Sequence, residues 1–121
     1  MFVDITEEEF YEALWFRSSM VFTDREKELL KDAKVGVIGV GGTGGIASEQ
    51  LIRGGVGSVT LVDLDIFELS NINRQHFCTL STLGMKKVDA GKQRLQELNP
   101  FAKITTFDKG INKDNAREII T

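Results

Sequence analysis

One cysteine, one histidine and one proline stand among 121 residues, and each scarcity removes a class of protein. A single thiol, Cys78, cannot close an internal disulfide or build a cysteine-rich zinc site, so it is expected to be a small buried hydrophobe. His76 alone indicates no metal centre. No apolar run approaches the ~20 residues needed to cross a bilayer. The opening Met1-Phe-Val-Asp-Ile5 lacks the basic and apolar regions of a secretory signal. The expectation is a cytoplasmic protein with no membrane contact. Positive charge is not in excess either, with 15 Lys and Arg against 18 Asp and Glu, a net charge of −3. The basic residues are scattered from Arg17 to Arg117 and form no stripe that could neutralise a run of phosphates, which excludes generic nucleic-acid binding. A chain of this length, 41% hydrophobic, buries roughly two-thirds of its unfolded surface and needs no disulfide or metal to hold a core.

Glycine is concentrated. Nine of the twelve glycines fall between Gly36 and Gly57, which marks a site rather than a linker. Before them, Thr6-Glu-Glu-Glu9 and Thr23-Asp-Arg-Glu26 each read as a capping box opening a helix, with Phe10, Leu14, Leu29 and Leu30 as apolar faces. From residue 34 the pattern changes. Lys34 to Gly39 and Ser58 to Asp63 read as strands. Between them a helix from Gly44 to Arg53 has Ala47, Leu51 and Gly54 on one face. Val88, Gly91, Leu95 and Leu98 mark a further helix, ended at Asn99-Pro100 because proline has no N–H to donate. Ala102 to Phe107 reads as a third strand, and a last helix is expected from about Lys113 to Ile120 behind an Asn112 cap. Alternating strands and helices predict an α/β fold, a doubly wound, Rossmann-like parallel sheet with right-handed crossovers. The expected organisation is an N-terminal helical segment over 1–33 and a Rossmann-like nucleotide-binding domain over 34–121. Three strands are few for that architecture, and the first has a flank without an obvious partner. The expectation is therefore the front part of a longer protein.

Gly39-Val-Gly41-Gly42-Thr-Gly44 lies between a predicted strand and a predicted helix. There glycine permits a tight turn, lets backbone approach a phosphate, and leaves the helix N-terminus free to face an anion. Asp63 follows Gly44 by 19 residues, at the end of the second strand, where a carboxylate can accept hydrogen bonds from a ribose. Such glycines can also serve helix–sheet packing alone. The order strand, glycines, helix, strand, aspartate favours a nucleotide, while leaving a nicotinamide dinucleotide and ATP equally open.

The segment Leu69-Ser-Asn71-Ile-Asn73-Arg74-Gln75, with Gly84-Met-Lys86-Lys87 downstream, discriminates. A dinucleotide site has no need of an added loop bearing an arginine and then a lysine beside the switch point of the sheet, whereas a triphosphate does. Taken with the glycines, Val62-Asp63-Leu-Asp65 and Leu98-Asn99-Pro100, these motifs resemble the adenylating family of ThiF, MoeB and HesA and of ubiquitin-activating enzymes. The likeness runs over about residues 15 to 120. It implies that Gly39, Gly41, Gly42 and Gly44 cradle ATP phosphates, with Asp63 on the ribose and Asp65 beside it. It further implies that Asn71, Arg74 and Gln75 line the triphosphate and that Lys87 contacts phosphate oxygens, Arg74 and Lys87 being the catalytic pair. Lys86 is adjacent, but counting from Gly84 favours Lys87. Arg17 lies about where the family places an arginine that reaches the partner subunit's nucleotide. Thr82 stands where the family commonly has aspartate, a change that a helix N-cap tolerates.

The chemistry agrees. A carboxylate with a pKa near ~4 is ionised at pH 7 and attacks the α-phosphorus of ATP without a general base, given in-line positioning and positive charge on the departing pyrophosphate. The resemblance implies as partners a ubiquitin-like or sulfur-carrier protein whose C-terminus is activated or, in a tRNA threonylcarbamoyladenosine dehydratase, a tRNA, together with a homodimer. It also implies Mg2+, whose ligand is expected beyond Thr121, with zinc possible there too. Asp63 and Asp65 are assigned no metal, and this stretch is expected to form much of a nucleotide pocket without completing adenylation efficiently. The competing readings are an NAD-dependent oxidoreductase and a non-catalytic scaffold subunit.

Overall fold

A threonine that exchanges hydrogen bonds with the glutamate three residues on starts each N-terminal helix. In the computed structural model, which describes residues 4–120, Thr6 caps α1 (Glu7–Trp15) and Thr23 caps α2 (Asp24–Asp32), each through a complete capping box with Glu9 or Glu26. A 3-10 turn, Phe16–Ser18, follows α1. The helices then alternate with parallel strands: β1 (Lys34–Ile38), α3 (Gly42–Arg53), β2 (Ser58–Val62), α4 (Lys87–Leu98), β3 (Lys103–Phe107) and α5 (Ala116–Ile120).

The sheet runs β1-β2-β3, all parallel, so β2 is central. Alternation along the strands sends Val37, Val59, Leu61 and Ile104 into the core beneath α3 and α4, joined by Val88 and Leu95. The opposite face is open at β1, where Lys34, Gly36 and Ile38 are exposed. Gly91 brings α4 down on β2, since a Cβ built there would lie 2.8 Å from Leu61. Helices α1 and α2 close the N-terminal edge of the sheet. Trp15 Nε1 donates to Gly54 O at 3.0 Å, Asn99 Nδ2 donates to the Tyr11 hydroxyl, and Gly57 N donates to Leu30 O. Burial of Trp15 contributes about 2 kcal/mol, and a Cβ at Gly55 would meet its ring at 2.4 Å. Cys78 is buried in the core.

Three expectations are corrected. The last helix begins at Ala116 rather than Lys113, although Asn112 bonds as the expected cap does: its side chain accepts from Asp114 N and Asn115 N, and Asn115 Oδ1 accepts from Asn112 N. A single turn, closed by Ala116 N donating to Asn112 O, precedes the regular helix. Leu29 is exposed, and of the α2 leucines only Leu30 packs on the core. Helix α3 starts at Gly42 and buries Gly45, Ser48, Glu49 and Ile52, so Ala47 faces out. Its inner stripe is largely polar, which a search for apolar periodicity does not detect.

Candidate functional site

Three loops meet at the carboxyl edge of the sheet. The first leaves β1 at Gly39, whose φ of +91° is the left-handed conformation that favours glycine. Gly39 N donates to Val62 O, which fastens the turn to β2. Helix α3 begins immediately after Gly41, and no side chain caps it. Its first N–H groups therefore point outward with the positive end of the helix dipole behind them. A Cβ on Gly44 would lie 1.7 Å from Gly39 O, so strand exit and helix entry approach more closely there than any other residue permits.

The second loop leaves β2 at Asp63. One carboxylate oxygen accepts from Val40 N at 2.8 Å and the other from Asp65 N at 2.9 Å. Asp63 is thus pinned to the glycine turn, and each oxygen keeps a lone pair for a further donor. Asp65 contributes its backbone, accepting from Lys87 N at 3.0 Å. The chain then pairs antiparallel with a later stretch: Phe67 N donates to Met85 O, Gly84 N to Phe67 O, and Ile66 bridges Lys86. This return delivers the start of α4 to the mouth of β2.

The pairing separates the two lysines. Lys86 turns to Asp108 at the end of β3 and forms an ion pair. Their hydrogen bond, and then the attraction between the charges, raises the lysine pKa and lowers that of the aspartate. Lys87 turns inward and is only 7% exposed. Its Nζ lies 5.6 Å from the centre of the Phe67 ring and, among the described residues, makes no ion pair or hydrogen bond. With its stem packed away and no protein anion beside it, this ammonium keeps its charge for a ligand.

The third loop carries a 3-10 turn, Leu69–Asn71, and then Arg74 and Gln75. Asn71 Oδ1 accepts from Glu68 N at 2.8 Å, so this side chain shapes the loop. Arg74 donates to Ser70 O and to Asn73 Oδ1 and, among the described residues, meets no carboxylate. Gln75 is buried against the glycine turn, where a Cβ on Gly41 would lie 3.7 Å from its amide, and a Cβ on Gly42 would lie 3.6 Å from Arg74 O. Gln75 Oε1 has no partner. Gly39, Gly41, Gly42, Gly44, Asp63, Asp65, Asn71, Arg74, Gln75 and Lys87 thus surround one edge of the sheet, whereas Arg17 sits on the turn after α1, beside the opposite edge.

No group of three or more His, Cys, Asp or Glu among the described residues is arranged to hold a metal ion. Asp63 and Asp65 differ in what they offer: the Asp63 carboxylate is bonded to the backbone N–H groups of Val40 and Asp65, whereas Asp65 is tied in through its own backbone. What the edge offers is helix N–H groups, two uncompensated cations and a carboxylate, an arrangement suited to a polyphosphate on a ribose. One residue behind it was not singled out in the sequence. Glu49 is buried within α3 and contacts Arg53, Arg94 and His76. Its i,i+4 spacing to Arg53 was the available signal.

The model of the ThiF family matches residues 16–121. The tRNA threonylcarbamoyladenosine dehydratase of Bacillus subtilis is 42% identical over 88 residues, 73% of this chain and 35% of the relative. The molybdopterin-synthase adenylyltransferase of Haemophilus influenzae is 38% identical over 102 residues, 84% of this chain and 41% of the relative. Among solved structures, Escherichia coli tRNA N6-threonylcarbamoyladenosine dehydratase in complex with ATP superposes with a TM-score of 0.85 at 28% identity, over 96% of this chain and 47% of that one. The chain spans less than half the length of each of these relatives. No helix of the described residues is long and apolar enough to cross a membrane.

Proposed function

This chain belongs to the ThiF family, and on that premise we propose that it is the ATP-binding part of an adenylyltransferase that activates a carboxylate as an acyl-adenylate. The observation that carries the reading is Lys87, a largely buried lysine whose ammonium meets no protein anion among the described residues and whose backbone is tied to Asp65, just past Asp63. In this reading Asp63 accepts from the ribose, with Asp65 alongside. The N–H groups of Gly42 to Gly44, the amide of Gln75 and the side chains of Asn71, Arg74 and Lys87 receive the phosphates. A substrate carboxylate oxygen attacks the α-phosphorus, the bond from that phosphorus to the bridging oxygen breaks, and pyrophosphate leaves with the electron pair. The attacking group is already ionised, so no general base is required. The protein's contribution is in-line placement and positive charge on the leaving oxygens, supplied by Arg74, Lys87 and the helix N-terminus.

The carboxylate belongs to the C-terminus of a ubiquitin-like or sulfur-carrier protein. A second reading, favoured by the 42% identity to a tRNA threonylcarbamoyladenosine dehydratase, puts it on a modified adenosine of tRNA. We place the protein in the cytoplasm as a homodimer in which Arg17 reaches the partner subunit's nucleotide. The resemblance places the ligand for Mg2+, and those for any zinc, beyond Thr121, and no step is drawn through either ion.

Calorimetric titration with ATP and with NAD tests the class. ATP is expected to bind the tighter, with a loss of roughly tenfold or more in Arg74→Ala. Tighter binding of NAD would identify an oxidoreductase fold instead. Absence of binding by either would favour a scaffold subunit.

A further inference from the structure

Glu49 lies on α3, 4% exposed, one turn past the glycines. Its Oε1 accepts from Arg53 Nε at 3.1 Å, on the same helix, and from Arg94 Nη2 at 3.1 Å, on α4. Its Oε2 lies 2.5 Å from Nε2 of His76, the residue that follows Arg74 and Gln75. One carboxylate thus touches three elements, each of which carries a different part of the candidate phosphate site: the N-terminus of α3, the loop with Asn71, Arg74 and Gln75, and α4 with Lys87 at its head.

The loop packs on the glycine turn through Gln75 and on Gly45 through Phe77, but its hydrogen bonds are local. Asn71 Oδ1, Ser70 O and Asn73 Oδ1 take hydrogen bonds from within residues 68–74. The backbone bonds of Asn71, Ile72, Arg74 and Gln75 are likewise local. Among the described residues, His76 to Glu49 is the one polar contact that joins residues 71–76 to either helix. A lone pair with Arg53 would satisfy a buried glutamate as far as α3 is concerned. The reach across to α4 and to the loop adds what stability alone does not require, a common anchor for three segments that must act on one ligand.

We propose that Glu49 is a positioning residue for the triphosphate, holding the Arg74 loop and the Lys87 helix in register with the N-terminus of α3 through His76 and Arg94. This rests on the ATP reading above and deepens it. The α-phosphate is nearest the glycines and depends least on the anchor. The β- and γ-phosphates, which need Arg74 and Lys87 together, depend on it most. The anchor therefore sets the preference for ATP over AMP rather than affinity for a nucleoside monophosphate.

The test is calorimetry with ATP and AMP on the wild-type chain, Glu49→Gln, His76→Ala and His76→Lys, each confirmed folded by circular dichroism. Glu49→Gln and His76→Ala are expected to lower the ATP:AMP affinity ratio by about tenfold with little change for AMP, and His76→Lys to restore most of it. In an Arg74→Ala background, Glu49→Gln is expected to have no further effect on the ratio, because both changes remove the same contribution. His76→Ala alters a half-exposed side chain and carries the test if Glu49→Gln fails to fold. A ratio unchanged in folded Glu49→Gln or His76→Ala would overturn the positioning role and leave the cluster a stability element. A wild-type chain with no preference for ATP would instead overturn the nucleotide reading itself, and the proposal with it.

Discussion

A lysine that serves a ligand and not the fold can be recognised by what happens when it is removed. Lys87 is 7% exposed and has the Phe67 ring for company but no anion. The attraction of the ring returns about 1 kcal/mol, and no ion pair adds to it among the described residues. Methionine fills a similar volume and also packs well on an aromatic ring. Lys87→Met is therefore expected to change the stability of the fold by no more than about 1 kcal/mol, a shift within roughly 4 °C in Tm for a chain of this size. ATP affinity is expected to fall by 10- to 100-fold, on the order of 1.5–3 kcal/mol, as a charge-assisted contact is lost. Lys86→Met is the control. That ammonium is half-exposed and paired with Asp108, so ATP affinity should hold. Thermal denaturation with and without ATP reads both quantities. Loss of stability by more than about 1 kcal/mol in Lys87→Met, or unchanged ATP affinity there with a loss in Lys86→Met, would refute the reasoning.

Two further outcomes follow from the same geometry. In Gly44→Ala a clearance of 1.7 Å to Gly39 O must open to at least 3.0 Å, moving one backbone segment by 1.3 Å. The expected cost is about 1–3 kcal/mol with loss of nucleotide binding, whereas Gly36→Ala, with nothing within 4 Å of its Cβ, should change neither; chemical denaturation of the two variants decides this. The Glu49 carboxyl provides a pH dependence. Burial pushes its pKa up, but hydrogen bonds from Arg94 and Arg53 and the charges of His76 and Arg94 outweigh it, and the value lies below the ordinary glutamate range. A depressed folded-state value means stability that is present above the unfolded-state pKa and lost as pH falls through the folded one. Urea midpoints should therefore fall less steeply on acidification in Glu49→Gln, and equal slopes would contradict the assignment.

Side-chain chemistry written into short stretches was legible in the sequence. The Thr6 and Thr23 capping boxes, the strand-glycine-helix order around Gly39 and the stop at Asn99-Pro100 are local, and each stands in the structure at or near its expected place. Less legible was anything held by backbone alone. The pairing of residues 65–67 with 84–87, which buries Lys87 and exposes Lys86, has no side-chain signature. The α3 face was missed for a related reason. Periodicity counts apolar residues, and this helix turns Ser48 and Glu49 inward, where Ser48 donates to Gly45 O and two arginines donate to Glu49 Oε1. Asn112 makes the bonds of a cap to Asp114 N and Asn115 N, while the regular helix starts one turn later, at Ala116.

A crystal structure of this chain with a non-hydrolysable ATP analogue would bear on the assignment most directly. The triphosphate is expected at the N-terminus of α3, its β- and γ-phosphates between Arg74 and Lys87, with the ribose hydroxyls on Asp63. An analogue seated elsewhere, or phosphates that leave both Arg74 and Lys87 without a contact, would contradict it.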